Sequence, residues 1–292
     1  TPMLWVMGFF TTFAIGGMTG IMMSLPAVDF QTHNSLFLVA HFHNVIIGGV
    51  VFGYMAGFVY WFPKAFGFKL DEKLGKFAFM FWISGFYVAF MPLYVLGLLG
   101  VTRRLNHYTE LSYQPYFIVA ATGAGLVLLG ISFQVLQLIV SIKNRHKNMD
   151  LTGDPWDGRT LEWSVSSPAP YYNFAHTPEA DCIDSFWEHK QKLLAKGEDI
   201  NKKPKAKIKY TDIHMPKNTP VGFIIAISAG IVGFASIWHM LIPGIIGGIG
   251  IIIPMIARTF NMNVDYYVKA SEVEEIENKH FLQKEKFATQ AV

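Results

Sequence analysis

The chain reads as an all-α protein: a polytopic membrane helix bundle of about six transmembrane helices, with a cytoplasmic loop region between the fourth and the fifth. Three observations carry that reading. Hydrophobic residues fill 52% of the 292 positions and charged residues only 15%, with a mean hydropathy of +0.32; soluble domains average about 25% charged residues. Several runs reach the roughly 20 apolar residues that one span requires. Lysine and arginine collect in a few segments between those runs.

The first run extends from Met3 to about Ser24. Ahead of it, Thr1-Pro2 offers no initiator Met, no basic n-region and no small-residue cleavage site, so the opening is not a signal peptide. The chain is expected to be the C-terminal part of a larger membrane subunit. The second run, Leu36 to Trp61, and the third, Phe77 to Gly100, follow. Pro92 inside the third predicts a kink, tolerated where neighbouring helices satisfy freed carbonyls. The fourth run spans Tyr116 to Ile142, and a polar stretch from Lys143 to Pro220 then carries thirteen Lys or Arg. Within it, Asp154 to Asn173 has enough Pro, Trp and Tyr to predict a compact loop against the membrane region. Lys202-Lys203-Pro204-Lys205 reads as a solvated run facing lipid headgroups. Val221 to Leu241 and Ile245 to about Ile256 form an expected hairpin turning at Pro243-Gly244, and Glu272 to Lys286 an expected charged surface helix.

These boundaries divide the chain into spans over 1–142, a loop region over 143–220, a hairpin over 221–257 and a tail over 258–292. The turn after the second run holds Lys64, Lys69, Lys73 and Lys76, and the tail adds Arg258, Lys269, Lys279, Lys284 and Lys286. The positive-inside tendency puts these segments and the 143–220 region in the cytoplasm. Ser24–Ser35 and Val101–Gln114 then face the opposite side, and the C-terminus is cytoplasmic.

His41-Phe42-His43 stands at the head of the second run. Ionisable side chains inside membrane spans default to a functional reading. On a helix advancing about 100° per residue, positions i and i+2 diverge by about 200°. Two such histidines cannot chelate one ion, but they can hold two separate centres. Arg103-Arg104 sits in an outer loop where positive charge is disfavoured, and its forked donors suit carboxylates. Asp29 and His33 share that outer layer. His107, His146, His176, His189, His214 and His280 lie in polar segments and are expected to be solvated, and His239 reads as an interfacial anchor. Gly16-Gly17, Gly20 and Gly48-Gly49 predict close helix packing or close approach of a macrocycle, and Met18, Met22 and Met23 predict packing. Cys182 is the sole cysteine, which excludes an intrachain disulfide and a cysteine-based metal site.

The run Thr32-His33-Asn34-Ser35-Leu36-Phe37-Leu38-Val39-Ala40-His41-Phe42-His43-Asn44-Val45, with Trp61-Phe62-Pro63-Lys64, Met91-Pro92-Leu93-Tyr94, Thr102-Arg103-Arg104 and Asp154-Pro155-Trp156, resembles subunit I of the haem–copper terminal oxidases. It is most similar to the proteobacterial cytochrome bo ubiquinol oxidase type. The resemblance implies that His41 is the axial ligand of a high-spin haem (haem o, or haem a) where oxygen binds. It implies that His43 is one of two axial ligands of a low-spin haem b, with Phe42 between the haem edges. Arg103 and Arg104 become propionate partners, and Asp29 and His33 complete the polar layer above the high-spin haem. Copper is also implied, with its ligands upstream of this chain. The implied partners are ubiquinol, dioxygen, protons, membrane lipid and oxidase subunits II, III and IV, with no nucleic acid, in a bacterial inner membrane. Cytochrome c oxidases usually carry Asp where this chain has Asn34, so Asn34 leans the electron donor toward quinol. Cytochrome c oxidase subunit I remains an alternative, as does a non-oxidase multi-haem electron carrier or a non-redox transporter. Ligands at i and i+2 argue against a cytochrome b of the quinol–cytochrome c reductase type, whose ligands lie two or three turns apart along each helix.

Overall fold

The computed structural model describes residues 1–197 and 208–290, with backbone alone for 286–290; the Lys202-Lys203-Pro204-Lys205 run lies outside the described residues. Two compact units divide the described residues: 1–169 with 180–197, and 170–179 with 208–290.

The first unit begins with α1 (Pro2–Met23) and the short α2 (Pro26–Thr32), each opened by a proline in its first turn, where a missing N–H costs nothing. Ser35 then caps α3 (Leu36–His43), its hydroxyl accepting from the Phe37 N–H at 3.1 Å. The chain continues without a break through a π-helical segment (Asn44–Val51) into α4 (Phe52–Phe66), which ends on Gly67 at φ +78°. The second predicted run is therefore one 31-residue rod, Leu36–Phe66, but not a uniform α-helix. Side chains beyond Asn44 are rotated away from the positions a 3.6-residue repeat assigns them. Asp71 caps α5 (Glu72–Leu98) through the Leu74 N–H at 2.8 Å, and α5 runs on through Pro92. A 3₁₀ turn, Leu111–Tyr113, leads into α6 (Gln114–Lys143).

Aromatic packing and absent side chains hold these rods together. Trp5, Phe52, Val59, Phe62, Phe79, Trp82 and Phe86 form the buried core, with Trp5 set edge-on to Phe79 at 5.2 Å. In a membrane, apolar burial gives no net drive between helices, so close approach at small residues does the work. Gly85 and Gly123 bring α5 and α6 into backbone contact, and a Cβ at Gly123 would overlap the Ala89 backbone. Gly48 does the same against α1, where a Cβ would lie 2.5 Å from the Thr12 side chain.

The two ends of this unit are sewn by different loops. At one end, Leu36 N donates to Val101 O and Arg103 N to Asn34 O, joining the segments around residues 34 and 102. At the other, Lys69 N donates to Asn148 O and Asp150 N to Gly67 O. There the expected compact loop is present. Trp156 Nε1 donates to Tyr60 O at 2.8 Å, and the Lys64 ammonium, at the C-terminal turn of α4, donates to the carbonyls of Gly153, Val165 and Ser166. α7 (Ser185–Ala195) closes over this loop. Its Lys190 is buried, and its ammonium donates to Asp154, Asp157 and the Gly158 carbonyl while lying over the rings of Phe186 and Trp187.

The second unit holds α8 (Val221–Ile237), α9 (Leu241–Thr259) and α10 (Ala270–Gln290). A two-stranded antiparallel ribbon pairs β1 (Ile213–Pro216) with β2 (Asp265–Val268), in register Ile213↔Val268. α8 and α9 form the expected hairpin, but the turn is Trp238–Met240, with His239 at φ +53°, and not Pro243-Gly244. Pro243 falls in the first turn of α9, where its rigid φ favours initiation. The shorter apolar helix is α8, at 17 residues; α9, at 19, is long enough to span. Among the described residues five helices reach spanning length and apolarity: α1, the 36–66 rod, α5, Leu111–Lys143 and α9. His280 departs from the solvated reading: it is buried on α10, on the face where Val273 and Ile276 meet Tyr172 and Val268. His107, His146, His176, His189 and His214 are exposed, as expected, and His239 is exposed at the α8–α9 turn. Met18 and Met22 are exposed on α1.

Burial depresses the Lys190 ammonium's pKa, but the hydrogen bonds and charges of Asp157 and Asp154 outweigh that and leave it raised above the ordinary lysine value. A raised cation pKa stabilises fully below the unfolded value and loses its contribution as pH climbs through the folded one. Hydrogen exchange across 150–165 should therefore stay slow through neutral pH and accelerate only above the ordinary lysine range. Lys190→Met leaves the half-buried Asp154 without its cation, and should destabilise the loop by about 2 kcal/mol, read as faster exchange there already at pH 7.

Candidate metal centre

His41 and His43 are both half-buried on α3, and different helices receive them. The His41 ring reaches α1. Its Nδ1 lies 3.0 Å from Thr19 Oγ1, and a Cβ on Gly20 would come within 3.0 Å of its Cε1. Gly20 thus lets α1 pass along the edge of the imidazole. The His43 ring lies against α5, stacked on Phe90 with centroids 4.3 Å apart at 21°, and flanked by Phe42 at 4.4 Å.

Hydrogen bonding fixes the tautomer of His43 directly, and that of His41 through the proton of Thr19. His43 Nδ1 lies 2.8 Å from the carbonyl of Val39, one turn back. A carbonyl only accepts, so Nδ1 carries the proton and Nε2 carries the lone pair. For His41 the argument runs through Thr19. That hydroxyl lies 2.9 Å from the Ile15 carbonyl and 3.0 Å from the Gly16 carbonyl. Both only accept, and the back-bonded geometry assigns them the single hydroxyl proton as the arrangement that gives every neighbour a complementary role. The remaining lone pairs accept, one from His41 Nδ1–H and one from the Tyr94 hydroxyl 3.1 Å away. Each histidine therefore presents a neutral imidazole whose Nε2 is the available ligand, the form that metal-binding histidines adopt.

What such a pair can do follows from donor count. Among the described residues no group of three or more His, Cys, Asp or Glu converges to hold a bare ion. A single imidazole suffices where a macrocycle supplies the other in-plane ligands, as in haem. Both rings fit that role: their Nδ1–H groups are committed, their Nε2 lone pairs are not, and their neighbours are apolar or aromatic.

The other expected residues gather at the 34/102 end of the unit. His33 donates its Nδ1–H to the Asp29 backbone carbonyl at 2.8 Å, and both side chains are exposed. Asn34 adopts φ +61°, a left-handed conformation to which Asn is well suited. Its Oδ1 accepts from Arg103 Nε at 3.0 Å. Arg103 is thus anchored through both backbone and side chain, while Arg104, exposed at φ +65°, is turned by its own backbone. Asn34 to His41 is about two turns, roughly 10 Å along the helix. The structure joins Arg103 to Asn34 and Asp29 to His33; the carboxylate of Asp29 and the guanidinium of Arg104 make no contact with them.

The roles of two residues at this centre escaped the sequence reading. Thr19 follows Gly16-Gly17 in an apolar run, and Tyr94 entered only as the end of the Met91-Pro92-Leu93-Tyr94 match. Only the geometry brings both to His41.

Residues 1–126 match the family model for cytochrome c and quinol oxidase polypeptide I. The chain is 52% identical, over 96% of its length, to cytochrome bo(3) ubiquinol oxidase subunit 1 of Buchnera aphidicola subsp. Acyrthosiphon pisum, of which it covers 42%. It is 52% identical over 95% of its length to ubiquinol oxidase subunit 1 of Acetobacter aceti, covering 41% of that protein. It is also 50% identical over 95% of its length to the probable cytochrome c oxidase subunit 1 of Bradyrhizobium diazoefficiens, again covering 41%. The chain thus spans less than half the length of the curated relatives it matches. Five helices of spanning length and apolarity, with this likeness to membrane oxidase subunits, make it a multi-pass membrane protein. The family that residues 1–126 match implies haem and copper, and His41 and His43 are the residues here whose chemistry fits a haem.

The glycine beside His41 gives a test. Adding a Cβ at Gly20 crowds the imidazole, whereas Gly17 has open space around it. In the complete subunit, Gly20→Val should lower haem content severalfold by pyridine haemochrome assay, and Gly17→Val should leave it near that of the parent.

Proposed function

We propose that this chain is the C-terminal part of subunit I of a respiratory terminal oxidase that reduces dioxygen to water with electrons from ubiquinol, coupled to proton translocation. The observation that carries the reading is the pair of imidazoles at i and i+2. Each has its Nδ1–H committed and an Nε2 lone pair available, within a chain about half identical to ubiquinol oxidase subunits. In this reading His41 holds the high-spin haem and His43 the low-spin haem b. When bound, the haems supply electron relay and a dioxygen-binding iron.

The chain's own residues do the rest. Val39 O and Thr19 Oγ1 hold the two rings in one tautomer and one orientation, so that each presents Nε2 without rotamer search. Phe42 and Phe90 keep water from the His43 ring. A low-dielectric surrounding strengthens every charge interaction made there, so an electron arriving on this helix favours uptake of a compensating proton. Arg103 and Arg104 offer forked donors to propionates at the outer end, with Asp29 and His33 in the same layer. Copper ligands belong to residues outside this chain, and the high-spin haem is of o or a type.

The quinol donor rests on Asn34. A neutral amide in place of a carboxylate weakens any hard-cation site beside it, and its oxygen is already occupied by Arg103. The probable cytochrome c oxidase among the relatives keeps the alternative donor in view. The lysine-rich turn after α4 and the 143–220 region support a cytoplasmic assignment for that end and for the tail, in a bacterial inner membrane. The partners are then ubiquinol, dioxygen, protons and the remaining oxidase subunits. The four-part division, with spans over 1–142, loop region over 143–220, hairpin over 221–257 and tail over 258–292, belongs to the same proposal.

In the assembled oxidase, His43→Ala should abolish the low-spin reduced-minus-oxidised band while keeping carbon monoxide binding. His41→Ala should remove carbon monoxide binding. Ubiquinol should be oxidised and reduced cytochrome c should not. The reverse pattern of haem loss would overturn the side assignment, and rapid cytochrome c oxidation would overturn the donor.

A further inference from the structure

His41 and His43 are held by chemically different acceptors. His43 donates to a main-chain carbonyl of its own helix, which no side-chain change can remove. His41 donates to a hydroxyl from a different helix, α1, and that hydroxyl is shared with a phenol from a third helix, α5. We propose that Thr19 and Tyr94 are positioning residues that set the electron-donating strength of the His41 imidazole, with opposite signs. The proposal rests on the reading that His41 ligates the high-spin haem.

The argument follows from counting protons on Thr19 Oγ1. Four groups lie within 3.1 Å of it: the Ile15 and Gly16 carbonyls, His41 Nδ1 and the Tyr94 hydroxyl. The hydroxyl has one proton and two lone pairs. With the proton given to the carbonyls, both lone pairs serve as acceptors, one for each remaining neighbour. Donating to a carbonyl makes the Thr19 oxygen a better acceptor, because linked hydrogen bonds polarise one another. The Tyr94 hydroxyl draws on the same oxygen and so weakens its pull on the His41 proton. Thr19 makes the imidazole more electron-rich, and Tyr94 moderates that effect.

The geometry keeps this arrangement in place. Thr19 is locked onto its helix by the back-bond to Ile15. The Tyr94 ring is held edge-on to Phe37, centroids 4.9 Å apart at 71°. Phe37 lies on α3, one turn before His41, so the phenol and the imidazole are indexed to the same helix. Groups beyond a metal-binding histidine that accept its second N–H raise its basicity and fix its orientation. A stronger acceptor at Nδ1 stiffens the iron–nitrogen bond and lowers the reduction potential of the iron.

The experiment uses the complete oxidase and resonance Raman spectroscopy of the reduced high-spin haem. Thr19→Val should shift the iron–histidine stretch to lower frequency and raise the midpoint potential of that haem. Tyr94→Phe should shift the stretch upward and lower the potential. Thr19→Ser, which keeps the hydroxyl, should restore the parent frequency. The low-spin haem should be unmoved in all three. Shifts of the same sign in Thr19→Val and Tyr94→Phe would reduce both residues to packing and overturn the relay. So would unmoved frequencies in an enzyme whose carbon monoxide binding is lost in His41→Ala, an outcome that leaves the assignment of His41 standing. Shifts confined to the low-spin haem, or carbon monoxide binding that survives His41→Ala, would instead overturn the assignment of His41, and the relay with it. Should Thr19→Val fail to assemble, the sign of the Tyr94→Phe shift and the Thr19→Ser restoration decide alone.

Discussion

The centre depends on how the second nitrogen of each imidazole is used. A histidine inside an apolar helix has two ring nitrogens and few partners, and an uncommitted N–H there is costly. His43 discharges that cost against the Val39 carbonyl, and His41 against Thr19. Both solutions leave Nε2 as a lone pair pointing away from the local backbone. The rest of the first unit serves this arrangement. Gly20 brings α1 to the His41 edge, Gly48 brings α1 against the π-helical segment just beyond, and Phe90 gives the His43 ring a flat partner.

The remainder of the unit keeps that rod from moving. At one end, the segments around residues 34 and 102 are joined by backbone hydrogen bonds and by Arg103 on Asn34. At the opposite end, Lys64 supplies three carbonyls of the 153–166 loop with donors, at the point where a helix C-terminus favours positive charge. Between the ends, backbone-close glycine contacts on α5 and α6 substitute for the hydrophobic drive that a membrane does not provide. A π-helical stretch immediately after His41 and His43, the proposed ligands, fits the tendency of such irregularities to occur at functional sites.

Much of this was legible in the sequence because it depends on composition and on local spacing. Spans follow from apolar run length, and the divergence of His41 and His43 follows from the pitch of a helix, which α3 keeps through residue 43. Other features turn on tertiary contact and were not legible. The π segment arises where glycines meet α1, and no residue periodicity announces it. The hairpin turn moved to Trp238–Met240 because a proline in a first turn starts a helix as readily as it breaks one. His280 was misread because α10 is charged in composition yet sets Val273, Ile276 and His280 on one face. Thr19 and Tyr94 are ordinary residues in apolar runs, and their role exists only where three helices meet.

The most direct test is a structure of the complete subunit with its haems bound, at a resolution that distinguishes the imidazole nitrogens' surroundings. The account predicts that Nε2 of His41 and Nε2 of His43 coordinate two different irons. It also predicts that His41 Nδ1 lies within hydrogen-bond distance of Thr19 Oγ1 and His43 Nδ1 within that distance of the Val39 carbonyl. Coordination through Nδ1 at either ring, or an iron bound by neither histidine, would contradict it.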